Sequence, residues 1–540
     1  MKFKKIVCAL LALGMVASMT ACSSGSGGTG STSSTSGESG TGETSSAEGS
    51  SQTEFDITIV RWSEAWGMDF SDTAFLREIN EKLGVTINWQ AFWASDWSEQ
   101  KSLLLASGDL PDAFFGSATL NDSDVSQNKA SFYELTDLIA ENMPNLTKAF
   151  EADEQLKAIC TDPNGEIYTL PKKLPLRPVT ANEWYINNDF LDALGMEVPD
   201  TFDELTAYLT AVGQNDPDGN GENDTFGYIM GGGVLSDDLN NIMIPWGIQV
   251  SRAGNYMSLD KEDNPIFVPT CDTYKEAVKW MNQLYQVGGI DPEHFTQDSS
   301  MVNAKVQADG GSKAGIVSQW SADAETGANA SQFTVMKAVV GPDGNRYCES
   351  DPTYLNYGRN EMVITQLCEN PALLLQWADE FYTDLASLQT YYGSIGDGKV
   401  VDNGDGTYEL LIPDDGTSLD ASCWTYSFRD HGPKYMDPAF EENVILPTTQ
   451  GDGAKLIDDE VNREYAFEGF PVCYYTDEQL SQLTTLTTDI YNYVEAQYAH
   501  WVVDGGIDGE WDAYLEQLNA MGLEQVVAIQ NEAYQTYLNS

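Results

Sequence analysis

Residues 73–92 read TAFLREINEKLGVTINWQAF, and a change of period inside this stretch decides the class of fold. Over 73–84, Leu76, Ile79 and Leu83 recur on one helical face, and Gly84 is a residue able to close the helix in a left-handed conformation. From Val85 the pattern predicts a strand over 85–92. Upstream, DITIVRW (56–62) predicts a buried strand. Downstream, a helix near 98–107 stops at Gly108, and DAFFG (112–116) predicts a third strand. Repeated strand–helix units imply an α/β fold, a largely parallel sheet with helices packed on it. Ligands of such sheets bind in loops at the carboxyl ends of strands. Here those are the loops after Trp62, Phe92 and Phe115.

A second run begins in NEWYINNDFLDALGMEVPDTFDELTAYLTAVG (182–213). Thr201 and Glu204 have the spacing of a capping box, with Pro199 upstream and Leu205 and Leu209 on the buried face. AGIVSQW (314–320) and NYGRNEMVIT (356–365) predict later strands, and NPALLLQWADEFYTD (370–384) predicts a helix. The C-terminal part is helix-rich, with stretches near 476–500, 509–521 and 523–538 broken by DGGID and Gly522.

The N-terminus belongs to a different regime. Basic MKFKK and the apolar run IVCALLALGMVAS are too short for a comfortable membrane span and read as a signal peptide, residues 1–21. Met19-Thr20-Ala21-Cys22 resembles the lipobox of bacterial lipoproteins, which implies lipidation of Cys22 and anchoring by acyl chains. Residues 22–53 continue as a Gly/Ser/Thr tether with almost nothing to bury. Gly25, Gly27 and Gly30 match a dinucleotide-loop spacing there, but no strand or helix flanks them.

The formal charge of -57 repels nucleic acid and anionic headgroups, so neither is an expected partner. Of eight cysteines, the six beyond Cys22 are scattered without a C-x-x-C, and the three histidines assemble no zinc motif. No G-x-S-x-G or H-E-x-x-H occurs. GSIGDGKV (393–400) nearly matches a phosphate loop, but Val400 has no hydroxyl for a metal.

Several phrases then carry a resemblance in their order along the chain. LLASGDLPDAFF, EIYTLPK, WYINNDFLDALGMEVPDTFDELTAYLTA, GIDPEHFTQD, KAGIVSQW and the stretch from Trp501 to Tyr537 resemble family-one extracellular solute-binding proteins, the carbohydrate receptors of bacterial ABC importers. Within that family the chain is similar to long Gram-positive lipoprotein receptors of the alginate-oligosaccharide-binding type. The resemblance implies a type II periplasmic-binding-protein-like fold of two α/β lobes, no catalysis, and an ABC permease as partner. It implies a location on the outer face of the cell membrane. By analogy, lobe one takes 54–178 and 350–390, and lobe two takes 179–349 and 391–540. A peptide-type receptor and a paired-carboxylate glycoside hydrolase stay open as alternatives, since 84 acidic residues supply many pairs.

Sugar rings stack their C–H faces on aromatics, which directs attention to Trp62, Trp66, Trp89, Trp93, Trp97, Trp184, Trp246, Trp320 and Trp424. Trp320 ranks first because it ends the strand-then-Trp phrase that the family places at its cleft. Trp62 and Trp66 follow the first strand, Trp93 and Trp97 follow the second, and Trp246 completes the aromatic candidates. Ser117 and Asp122, beyond the third strand, are candidate hydroxyl partners. Arg359 would serve an acidic sugar or an internal ion pair.

DPDGNGENDTFG (216–227) places Asp216, Asp218, Asn220 and Asp224 at positions 1, 3, 5 and 9 of a calcium loop. Glu222 at position 7 offers its carbonyl and Gly221 occupies the sharp turn. Position 12 is Gly227, so the bidentate Glu of an EF-hand is missing. The reading is a structural Ca²⁺ rather than a sensor, against a metal-free Asx-rich turn. The resemblance points the same way, although an acidic residue commonly follows the last Asp in that family and Thr225 stands there.

Overall fold

The computed structural model describes residues 53–538, apart from 64–65, 176–177, 232–233, 252–254, 261 and 351–355. The signal segment, Cys22 and nearly all of the tether lie outside the described residues.

The first sheet runs in the order β2-β1-β3-β9-β4, with β1 Thr53–Arg61, β2 Val85–Trp93, β3 Ala113–Phe115, β4 Leu170–Lys173 and β9 Tyr357–Ile364. β2, β1 and β3 are parallel, as the strand–helix repeat requires, while β9 returns antiparallel between β3 and β4. Successive residues face opposite sides of a strand, and the cores follow that parity. Phe115 and Ile364 enter one core with Ile57, Trp377 and Phe381, and Phe114 and Val363 enter the other with Val60 and Trp97.

The helix between β1 and β2 spans Ala74–Leu83. The Thr73 hydroxyl accepts from Leu76 N at its start, and Gly84 closes it at φ +65°. The next helix is Ala94–Ser107, starting earlier than its periodicity suggests because Trp93 already ends β2.

The second sheet has the order β8-β5-β7-β6, with β5 Glu183–Asn187, β6 Phe226–Tyr228, β7 Ala314–Gln319 and β8 Phe333–Val335. Here only β6 and β7 are parallel, so this sheet is mixed. The capping box at Thr201 forms as its spacing predicts, opening the helix Phe202–Gln214. Its core joins Leu205, Leu209, Tyr228 and Ile316 to the C-terminal helices Asp477–Asp504, Ile507–Ala520 and Leu523–Leu538.

The two sheets, each with its own core, define two lobes. The segment expected to run as one helix over 370–384 divides into Pro371–Asp379, a single tight turn, and Asp384–Tyr392. Within residues 394–440, expected in lobe two, several side chains contact the first lobe, while Leu419 and Arg429 bond to Gln450 and Asp452. Asp397 accepts from Ala74 N at 2.7 Å and pairs with Arg77, while Phe428 and Tyr435 enter the first core. The physical reason is long-range: Phe428 packs on Phe70, Trp89 and Phe115, all brought together by the first sheet.

Candidate functional site

β1 ends at Arg61, and the chain then turns out to Trp62, whose side is 56% exposed. Arg61 is itself fully buried and turns back under the loop, over the Phe70 ring at 4.5 Å. It donates to Trp424 O and to Ser427 O, tying the end of the first strand to residues 424–434. Lys172 of β4 donates to Asp430 O and pairs with Glu361, and Lys434 donates to His431 O and Gly432 O at 2.6 and 2.9 Å. Glu361 in turn accepts from Gly432 N at 2.8 Å and Ser117 N at 3.2 Å. Three buried basic side chains from different parts of the chain thus satisfy five carbonyls of one loop.

The clamped loop carries an aromatic surface. Trp424 stacks on Trp66 at 4.5 Å and 13°, and His431 lies 5.8 Å from Trp424 and 5.7 Å from Trp62. Arg429, on the same loop, has a left-handed backbone at φ +50°, a strain that such loops retain where the surroundings hold them. Its guanidinium grips Asp452 bidentately at 2.7 and 3.0 Å, reaches Asp420, and lies over Tyr391. Burial pushes the Asp420 carboxyl up to about 6, against the pull of Arg429 and with the charges of Asp452 and Asp323 adding to the rise.

Trp320 meets this loop from the second lobe. It follows β7, and its Nε1 donates to Asp452 Oδ1 at 3.2 Å while Lys455 sits 5.3 Å over its ring. Asp452 therefore links the indole of one lobe to Arg429 of the other. Lys455 is fully buried against Glu183 at 2.8 Å, and Thr180 is bound by Asp459 through both its N–H and its hydroxyl. These pairs tie the helix Gly451–Asn462 to Thr180 and to Glu183 at the start of β5.

The other sequence candidates are distributed differently. Trp93 is half-buried at the end of β2, and Trp97 is a core side chain, 5% exposed, with Nε1 donating to Thr119 O at 2.7 Å. Trp246 packs edge-on against Phe202 on the second core, 5.2 Å between centroids. Ser117 is exposed, next to Gly116, where a Cβ would come 3.1 Å from His431. Asp122 and Arg359 form the internal ion pair, with Arg359 Nε 2.9 Å from Asp122 Oδ1 and its guanidinium 4.0 Å over Tyr474. They line a separate cavity of about 380 Å³ between lobe one and the start of the Asp477–Asp504 helix. Trp424 was named only as one of nine tryptophans, and Arg429, His431 and Asp452 were not among the sequence candidates. For Trp424, Arg429 and His431 the local signal is the dense mixture of aromatic, charged and glycine residues in WTYSFRDHG (424–432), and Asp452 lies outside it.

The Asp-rich loop lies apart, between the helix Phe202–Gln214 and β6. Asp216 accepts from Asn220 N and Gly221 N at 3.2 and 2.9 Å, with Gly221 at φ +85°. Asp218 and Asp224 both face the Asn220 amide at 3.0 Å, and Lys313 Nζ sits 2.6 Å from one and 3.0 Å from the other. Burial works to raise the Asp218 carboxyl, but the Lys313 ammonium and the hydrogen bonds of Asp216 and Asn220 hold it below its usual value.

Two carboxylates brought to one cation fit a cation-binding loop, and Thr225 Oγ1 beside them is buried without a partner. Among the described residues, however, no three acidic, His or Cys side chains close on one point as a metal cluster. Position 12 has a steric reason to be glycine: a Cβ on Gly227 would lie 2.6 Å from Gly289 O.

Two sheets with separate cores, joined at an aromatic site reached from both, define a two-lobed binding protein, and the chain belongs to the bacterial extracellular solute-binding protein family, whose model matches residues 74–402. The fructooligosaccharide ABC transporter substrate-binding protein FusA of Streptococcus pneumoniae serotype 4 (strain ATCC BAA-334 / TIGR4) is 30% identical over 490 residues, 87% of this chain and 88% of FusA. The solved structure of S. pneumoniae FusA in complex with kestose is similar at a TM-score of 0.80 and 27% identity, covering 90% of this chain and 100% of that one. Alginate-binding protein AlgQ2, solved without calcium, shares the fold at a TM-score of 0.71 and 20% identity, covering 90% and 98%. Among the described residues no helix is long and apolar enough to cross a membrane.

Proposed function

We propose that this protein is the receptor of an ABC importer, binding an oligosaccharide between its lobes and delivering it to the permease without catalysis. The observation that carries the reading is the aromatic surface of Trp62, Trp66 and Trp424 on one lobe, facing a site that Trp320 enters from the other through Asp452. Apolar sugar faces stack on such rings, and a ligand touching both lobes favours the closed state by its differential affinity. The role of FusA as a fructooligosaccharide substrate-binding protein supports the same ligand class. As part of the same proposal we divide the chain with 394–440 in the first lobe, a reading supported by Phe428 and Tyr435 in its core.

Calorimetry with kestose and other oligosaccharides, alongside product analysis, tests the reading. Binding without turnover is expected; released monosaccharide would make the protein a hydrolase. Anchoring through a lipid on Cys22 belongs to the same proposal, and a fatty-acid probe should label the wild type and not Cys22→Ala. For the loop at 216–224 we read a structural Ca²⁺ held by Asp216, Asp218, Asn220, Asp224 and the Glu222 carbonyl. A related FusA structure described as an EF-hand mutant supports this, at a TM-score of 0.80.

A further inference from the structure

His431 is 2% exposed, and neither of its ring nitrogens has a hydrogen-bond partner. Buried polar groups are rarely left so, because each loses its water without replacement. His294 in the same chain shows the ordinary solution, its Nε2 lying 2.8 Å from Asp238. The position of His431 is not loose. Its own N–H donates to Phe428 O, its carbonyl accepts from Lys434, and its Cβ and Nδ1 lie against Gly116 where β3 ends. Trp62 and Trp424 flank the ring on its other sides. The fold therefore spends several interactions on holding an imidazole whose polar atoms have nothing to bind.

We propose that His431 contacts the ligand, its imidazole exchanging a hydrogen bond with a hydroxyl of the sugar ring that stacks on Trp62 and Trp424. This rests on the receptor reading above and names a specificity residue within it. The charges around the ring select the chemistry. Burial, with Lys172 of β4 and Arg61 of β1, keeps the imidazole neutral, Lys434 adding to the effect and Asp430 opposing it. A neutral imidazole carries one N–H and one lone pair. A hydroxyl matches either, since it both donates and accepts, whereas a carboxylate can use only the N–H and meets no imidazolium charge. The nearby guanidinium of Arg429 is already committed to Asp452 and Asp420. Neutral sugars are thus preferred over uronates at this position.

The test uses the full chain, with kestose as probe and an oligogalacturonate as the acidic comparison. His431→Phe keeps a planar ring and removes both nitrogens, and should weaken kestose binding about tenfold. His431→Gln, which keeps a donor and an acceptor, should recover most of that loss, and circular dichroism should show both variants folded. ¹⁵N spectra of the wild type read the same contact without mutation. With three histidines in the chain, kestose should move a nitrogen of His431 and leave those of His294 and His500 in place.

Wild-type binding to kestose that persists unchanged in His431→Phe, or a His431 spectrum blind to kestose, overturns the assignment alone. Tighter binding of oligogalacturonate than of kestose overturns the choice of a neutral ligand. A wild-type chain that binds neither overturns the receptor reading and this inference with it.

Discussion

Two loops in this molecule are held by charge in opposite ways. At 216–224, carboxylates accept from backbone N–H groups of the same loop and gather round one ammonium, Lys313, near the surface. At 424–434, buried Arg61, Lys172 and Lys434 donate to backbone carbonyls, and two of the three come from strands more than 250 residues away. The first loop is organised by residues two to five apart. The second is organised by distant strands and presents Trp424, Arg429 and His431 at a fixed height. A locally built loop can change its contents, whereas one built by the tertiary fold is a rigid platform for recognition.

The sharpest way to break that contrast is Arg61→Met, which keeps bulk and leaves Trp424 O and Ser427 O without donors. Hydrogen bonds from a charged donor are worth roughly 1.5–3 kcal/mol each, so a loss of about 3 kcal/mol is expected in chemical denaturation. Full retention of stability would mean that the clamp does not hold the platform.

The surface loop should respond to metal instead. With calcium at about 100 times its Kd, mass action adds about 2.7 kcal/mol to the wild type. Asp216→Ala and Asp224→Ala should remove most of that gain while changing little in chelator, because Lys313 already screens the carboxylates. Identical wild-type melting in calcium and chelator would return the loop to a metal-free turn.

Trp320→Ala probes the side of the site that the clamp does not build. Truncating a well-packed aromatic anchor typically costs at least about 2 kcal/mol, or roughly thirtyfold in Kd for the bound oligosaccharide. The fold should survive, since the ring is only half-buried. Unchanged affinity by calorimetry would leave recognition to the first lobe.

The last effect is one of pH. Burial, then the neighbouring charge of Lys172, pushes the Lys434 amine down to about 7. Between that value and the ordinary lysine range near 10.4 the unfolded chain binds a proton that the folded chain does not, so this group makes stability rise with pH. The contribution is at most about 1.4 kcal/mol per pH unit and is lost as pH falls toward 7. A neutral amine still has two protons for its two carbonyls, so the loop stays held. Denaturation at pH 7 and 9 should show this slope in the wild type and not in Lys434→Met; equal slopes would place the charge on the folded lysine throughout.

Much of the scaffold was legible without coordinates. The helix ending at Gly84, the strands at 85, 113 and 314, the capping box at Thr201 and the three final helices all form where their patterns predict. Each rests on interactions spanning a few residues, as does the Asp216–Asp224 spacing. Trp97 shows the limit. Its place in the chain suited a binding loop, yet the turn of the Ala94–Ser107 helix directs it beneath Thr119 into the core.

By itself the sequence determined the two runs of α/β units, the family phrases, and the Asp-rich spacing at 216–224, because period, capping and residue spacing are local properties. Only the tertiary structure decided that Phe428 and Tyr435 enter the first core, that Arg359 is consumed by Asp122, and that Trp62, Trp66, Trp424 and His431 come together. Those outcomes depend on which distant side chains β1, β4 and β9 bring under a single loop, and no spacing along the chain encodes that meeting.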